Sequence, residues 1–376
     1  MSSKKLGFGC MRLPQLDPQN PKSIDFKQFN QMVDTFLEQG FTYFDTAYMY
    51  HDSASESAVK EALVKRHPRD SYTIATKMPT MLLKTPEDQI RIFDEQLEKI
   101  GVDYFDYYLA HNLNTINYAT AQKFNTIPFL QKKKEEGYIK KLGFSFHADA
   151  ELLEQILNDY PDFEFVQLQL NYLDWESEAI QSQKCYEVAR KYKKDIIVME
   201  PIKGGTLANV PAEAEKLFRQ LNPNASIASW AIRFAASQEG VQMVLSGMSN
   251  QEQLLDNLSY MKDFTPLSPK ELETVFQVRD IITRNITIPC TKCRYCVEGN
   301  SCPRRIAIPD YFSLYNENQQ YKHSDKALHK IYYRNLVAEG NGKASECIGC
   351  KKCERACPQH IEITKWLKEV AATLEN

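Results

Sequence analysis

The sequence predicts an α/β protein, a (β/α)8 TIM barrel followed by a small, mainly helical module. Three observations predict it. Short β-rich runs alternate with amphipathic stretches through the first part of the chain, eight times in about 270 residues. Cysteine usage then changes abruptly: of 10 cysteines, Cys10 and Cys185 stand alone early, and the other eight fall between Cys290 and Cys357. The length of 376 residues, at about 150 residues per domain, leaves room for one barrel of about 250 residues and a remainder of about 100.

The expected strands are Leu6–Cys10, Phe41–Asp45, Tyr72–Lys77, Phe105–Ala110, Lys141–Ser145, Phe163–Leu168, Ile196–Met199 and Met243–Ser246. Between them Phe26–Gln39, Ser57–Arg66, Gln89–Ile100, Ala150–Asn158 and Ile180–Tyr192 space apolar residues three and four apart, the period of a half-buried helix. Thr85-Pro86-Glu87-Asp88 puts a capping hydroxyl before a proline at the first helical position. Ser249-Asn250-Gln251-Glu252 fits a capping box. An open doubly wound sheet is the alternative. Its dinucleotide fingerprint is missing, because Gly7-Phe8-Gly9 lacks a third glycine and opens no helix, and Gly204-Gly205 completes none. Pro266 and Pro269 punctuate the end of the barrel, and Pro289 precedes the cysteines. The expected division is 1–280 and 281–376.

A charge balance of 46 − 49 = −3 argues against a polyanion-binding protein, so no nucleic-acid partner is expected. Hydrophobic residues at 43% with 25% charged exclude a disordered chain. Neither a signal-peptide core nor a run of ~20 apolar residues is present, so the expectation is a cytoplasmic protein without a membrane partner. In a reducing compartment cysteines read first as metal ligands or reactive thiols.

The eight clustered cysteines form two runs, Cys290-x2-Cys293-x2-Cys296-x5-Cys302-Pro303 and Cys347-x2-Cys350-x2-Cys353-x3-Cys357-Pro358. Three thiolates at this spacing wrap one face of a cubane. In two-cluster ferredoxins the cysteine before proline ligates the other motif's cluster. That rule assigns Cys290, Cys293, Cys296 and Cys357 to one [4Fe-4S] cluster, and Cys347, Cys350, Cys353 and Cys302 to the other. Two zinc sites, each held by four thiolates, are the alternative. The spacing to Cys302 is longer than usual. The segment before Cys347 holds helix-like stretches at Ile308–Tyr315 and Asp325–Val337, so the region resembles the helical two-cluster ferredoxins appended to redox enzymes. Cys10 and Cys185 read as core-lining residues.

In a barrel, polar residues at the C-terminal strand ends are read as catalytic. Asp45 ends the second strand, Lys77 the third, and His111 follows the fourth, while Tyr50 lies five residues beyond Asp45. These residues, in D-x-A-x-x-Y followed by the lysine and the histidine, resemble the catalytic tetrad of the aldo/keto reductase superfamily over roughly residues 5–260. The resemblance implies Tyr50 as general acid/base for carbonyl–alcohol interconversion. It implies Lys77 lowering the tyrosine pKa, Asp45 holding the lysine, and His111 orienting the carbonyl.

The resemblance also implies an NAD(P)(H) site. Gly9, Cys10 and Met11 match the first-strand rim lining the nicotinamide, and Ser145 and Gln167 match residues that hold its carboxamide. Asn257 matches an adenine-contacting position. Two features depart from the family. Met199 stands where an aromatic ring stacks on the nicotinamide, and the basic residues that grip an NADP 2′-phosphate near Ser249 and Gln253 are absent. The Ser249-capped helix offers its N-terminal amides to a phosphate instead.

The combination suggests an oxidoreductase acting on a small carbonyl or alcohol, linked to electron transfer through two clusters and possessing a redox protein partner. A hydride carries two electrons and each cluster passes one, and no flavin motif supplies the conversion. The competing readings are a plain NAD(P)H-dependent reductase with structural or redox-sensing clusters, and a non-catalytic dinucleotide-binding electron-transfer subunit.

Overall fold

The computed structural model describes residues 4–177, 180–298, 302–320 and 326–375. Eight strands, β1 (Leu6–Gly9), β2 (Tyr43–Asp45), β3 (Thr73–Met78), β4 (Phe105–Leu113), β5 (Ile139–Phe146), β6 (Phe165–Gln169), β7 (Asp195–Met199) and β8 (Val241–Gly247), follow the chain order. All pair in parallel, and β1 pairs with β8, so the sheet closes. The alternating pattern therefore makes a barrel and not the open sheet.

Side chains on a strand alternate between faces, and this period sets the interior in layers. Tyr43, Ala75, Leu109, Phe165, Ile197 and Leu245 form one buried ring inside the barrel. Two residues further along the same strands stand Asp45, Lys77, His111, Gln167, Met199 and Gly247. The polar residues are thus the next layer toward the C-terminal rim. On β5 the inward position is Gly143, because Phe165 fills the space. A Cβ there would lie 2.4 Å from the Phe165 carbonyl oxygen.

Helices run Phe26–Glu38, Pro86–Ile100, Ala150–Asp159 and Ser182–Lys191, near the expected bounds. The stretch expected as one helix over Ser57–Arg66 is α-helical at Ser55–Val59 and π-helical at Lys60–Val64. Asp88 Oδ2 accepts from the Thr85 and Lys84 amides, closing the end of its helix. The helix Gln251–Met261 is capped by Asn250, whose side chain accepts from Gln253 N–H. This corrects the assignment to Ser249, whose hydroxyl instead donates to the Arg12 carbonyl. Cys10 and Cys185 are buried, as core-lining residues should be.

The chain divides into two compact units. The barrel unit comprises Met1–Ser177, Gln181–Ile202 and Ala228–Leu272, while Lys203–Ile227 groups with Glu273–Asn376. The second unit is mainly helical, with Ile308–Gln320, Lys326–Ala338 and Ile363–Leu374 as its principal helices. Its apolar core includes Tyr311, Phe312, Ile363, Leu367, Val370 and Leu374. Asp325, expected to begin a helix, lies outside the described residues. Among the described residues no helix is long and apolar enough to cross a membrane.

Candidate functional site

At the barrel rim, Lys77 is fully buried and Asp45 nearly so. Lys77 Nζ donates to Asp45 Oδ1 at 2.5 Å and to the Thr46 carbonyl at 2.7 Å. Burying either charge alone carries a large penalty, so each fixes the other. Tyr50 places its ring 5.1 Å from Lys77 Nζ and edge-on to His111, at 6.1 Å between centroids. The four residues therefore do meet at one place.

Their protonation states follow from burial. Burial, then the charges of Lys77 and His147, hold His111 well below the ordinary histidine range. It is a neutral imidazole. Burial and then Asp45 push the Tyr50 hydroxyl well above its ordinary value, with Arg12 opposing. The expected lowering by Lys77 is thus not the dominant influence. Lys77 is bonded to Asp45, whose negative charge acts on the phenol in the opposite sense and raises it.

The residues expected to hold a nicotinamide behave differently from one another. Gln167 donates through Nε2 to Asp45 Oδ2 at 3.0 Å, which leaves its Oε1 as an acceptor. Ser145 Oγ accepts from the Asn112 amide at 2.8 Å, which leaves its proton as a donor. One acceptor and one donor suit a carboxamide. Asn112 sits at φ 54°, where the β4–β5 register shifts between Ala110 and Leu113. This bulge turns the β4 end beside His111, as bulges near sites often do. Gly9 ends β1, with Cys10 and Met11 in the short turn that follows, and Met199 ends β7 half-buried. Asn257 is bonded at both ends, to Ser246 at 2.7 Å and Tyr260 at 2.5 Å. Its amide is a structural strut here.

In the second unit, Cys290, Cys293, Cys296 and Cys357 line one cavity together with Ile308, Phe312 and Ile361. The two cysteine runs adopt matching backbones. Positive φ occurs two and four residues after the first cysteine in both, at Lys292 and Arg294 and at Gly349 and Lys351. It recurs three residues after each C-P cysteine, at Arg305 and His360. Helices begin six residues after each, at Ile308 and Ile363. Cys302 thus occupies the counterpart of Cys357 despite its longer spacing. Burial raises the Cys290 thiol to about 11 and Cys353 to about 12, and Cys347 and Cys302 contribute at Cys353. Buried thiolates crowded together need a cationic centre, which iron supplies. Four thiols, Cys290, Cys293, Cys296 and Cys357, share one cavity, which suits a multi-atom cluster. The donor set fits two cubanes.

Residues 5–280 match the model of the aldo/keto reductase family. The chain belongs to that family. Residues 289–362 match a 4Fe-4S dicluster domain, so this member combines an oxidoreductase barrel with an iron–sulfur module. Its similar proteins include a probable aldo-keto reductase 1 from Glycine max, 32% identical over 151 residues, 38% of this chain and 41% of that protein. The chain thus spans under half of that relative. An NADH-specific methylglyoxal reductase from Escherichia coli is 24% identical over 60% of this chain and 81% of its own length. Among solved structures, aldo-keto reductase AKR11C1 from Bacillus halodurans aligns with TM-score 0.58 and 21% identity, covering 73% of this chain and 91% of that one. An aldo-keto reductase from Klebsiella pneumoniae in complex with NADPH gives 0.59 and 18%, covering 74% and 96%. These likenesses establish the fold.

Several residues of this family member escape sequence reasoning. His51 accepts from the Leu13 amide at 3.0 Å and pairs with the Pro21 carbonyl at 2.9 Å. It pins the loop that carries Tyr50, where His51, Asp52 and Ser53 all have positive φ. Behind Lys77, the buried Glu56 accepts from Thr76 at 2.7 Å and Gln96 at 2.6 Å, and Gln96 Nε2 also reaches the Lys77 carbonyl. Burial pushes the Glu56 carboxyl above its usual range. Arg12 packs against Gly247. The only available signal is the adjacency of His51 to Tyr50, since the others meet through tertiary packing.

Proposed function

We propose that the protein interconverts a carbonyl and an alcohol at the barrel rim, with Tyr50 as general acid/base, and that the two [4Fe-4S] clusters take up or return the two electrons of that interconversion by way of the nicotinamide, one electron per cluster, as two protons are released or taken up. The observation that carries this reading is Lys77, fully buried, bonded to Asp45 and set beneath the Tyr50 ring. Such a lysine disfavours a second cation nearby, and Tyr50, held protonated by burial beside the Lys77–Asp45 pair, faces the site as a proton donor. His111, neutral and buried, is then a hydrogen-bonding group for the carbonyl oxygen and not a proton donor.

Gln167, Ser145, Gly9, Cys10 and Met11 fit a nicotinamide ring, which when bound would supply a hydride to the carbonyl carbon. Ser145 and Gln167 would orient its carboxamide, and Met199 would pack beside it. The structural neighbour from Klebsiella pneumoniae in complex with NADPH supports a dinucleotide here. Asn257 and the Asn250-capped helix give no support to an NADP-specific grip. Cys290, Cys293, Cys296 and Cys357 would hold one cluster, and Cys347, Cys350, Cys353 and Cys302 the other.

The test is anaerobic purification with iron and sulfide analysis, then rapid mixing with NADH or NADPH and a panel of aldehydes and ketones. Turnover with transient bleaching of the cluster absorbance is expected. Absence of turnover overturns the enzymatic role. Turnover with clusters that stay oxidised overturns the electron-transfer role, and stoichiometric zinc without sulfide overturns the clusters.

A further inference from the structure

The two cysteine runs share a backbone, but among the described residues only one has a buried lysine against it. Lys203, 2% exposed, begins a stretch in which Lys203, Gly204 and Gly205 all have positive φ, at 45°, 63° and 103°. Gly204 is pressed so closely that a Cβ would lie 2.0 Å from the Thr291 carbonyl oxygen, next to Cys290. Lys203 Nζ donates to Gln359 Oε1 at 2.9 Å. Gln359 lies two residues after Cys357 and lines the same cavity as Cys290, Cys293, Cys296 and Cys357. Lys203 therefore approaches this group of ligands from two sides, beside Cys290 through the Gly204–Thr291 contact and beside Cys357 through Gln359.

The counterpart of Gln359 in the other run is Arg304, which is exposed. An open cavity of about 320 Å³ borders the Lys203 side, with Lys203, Lys292 and Cys290 in its wall and no carboxylate among its described lining residues. No cysteine of the second ligand set lines either cavity. The buried cation is thus at one site, while the basic residues of the second run, Lys351, Lys352 and Arg355, are exposed. A [4Fe-4S] centre with four thiolates is anionic, and accepting an electron adds one negative charge without changing its ligands. A buried cation beside it stabilises the reduced form, and net charge is one of the protein's controls on cluster potential.

We propose that Lys203 is a positioning residue that raises the reduction potential of the cluster held by Cys290, Cys293, Cys296 and Cys357 above that of its partner, so that electrons collect there first. This rests on the cluster reading above. Each step is the transfer of one electron to one cluster, with no bond made or broken.

The experiment is an EPR-monitored redox titration of the anaerobically purified full chain. Lys203→Met should lower one of the two midpoint potentials and leave the other in place, with iron and sulfide unchanged. Lys203→Arg should restore most of the shift, and Gln359→Glu, which sets a carboxylate against the ammonium, should reproduce the lowering. Unchanged potentials in a fully loaded Lys203→Met protein, or equal shifts of both, overturn the proposal. If Lys203→Met loses iron, Gln359→Glu decides alone: a selective lowering supports the role and no shift overturns it. Zinc without sulfide in the wild-type protein would instead mark failure of the cluster reading itself.

Discussion

The barrel rim and the cysteine region assemble their chemistry by opposite routes. At the rim, Asp45, Lys77, His111 and Gln167 come from four strands and meet only because the closed register places them in one layer. In the cysteine region three of the proposed ligands of each set lie within seven consecutive residues, on a loop whose positive-φ positions repeat in both runs. The first arrangement stands or falls with the whole barrel. The second is largely local, and needs only one cysteine from elsewhere in the sequence.

That contrast can be broken most severely at the cysteines. Cys357→Ala should remove the first cluster and Cys302→Ala the second, each lowering iron from about eight to about four atoms per chain, with different EPR signals surviving. If both substitutions remove the same signal, the exchange of the C-P cysteines between motifs is wrong. At the rim, Tyr50→Phe should reduce carbonyl turnover by about 10²- to 10⁴-fold while cofactor affinity, measured by fluorescence titration, stays constant. Unaltered turnover would remove Tyr50 from the chemistry.

Smaller effects sharpen the same distinction. Lys77→Ala leaves the Asp45 carboxylate buried without its partner, so the barrel should lose about 3–5 kcal/mol in urea unfolding while iron content is preserved. Loss of iron together with stability would mean the units are not energetically separable. The smallest effect is a pH slope. His111 binds its proton less readily folded than unfolded, so it costs nothing above about pH 6.5. As pH falls below that value the unfolded chain takes up the proton first, and stability declines toward the lowered folded pKa. His111→Asn should flatten this decline; an unaltered slope would show that His111 titrates normally.

The same contrast governs what can be read from the sequence. All eight strands are legible because the β-rich runs are short, periodic and separated by helical patterns. The tetrad is legible as order and spacing along the chain. The environment of Tyr50 is not, since it depends on the burial and charge pairing of Lys77 and on the His51 loop, neither of which leaves a periodic trace. Ser249 reads as a cap because a hydroxyl precedes the helix; Asn250 serves because its side chain reaches the Gln253 amide. Lys203 is invisible as well. It lies far from the cysteines in sequence, and only the path of residues 203–208 brings it to them.

Asp45 has a further consequence. One of its oxygens holds Lys77 and the other holds Gln167, so a single carboxylate ties β2, β3 and β6 across the mouth of the barrel. In the proposed function, the group that steadies the proton donor and the group positioned to steady the cofactor share an anchor. Affinity for the dinucleotide and the readiness of Tyr50 to move its proton would then not be independent variables. Evolution of this mouth toward a different cofactor has to re-tune its acid–base chemistry in the same step, and a double-mutant cycle between Gln167 and Lys77 should show a coupling that neither single substitution reveals.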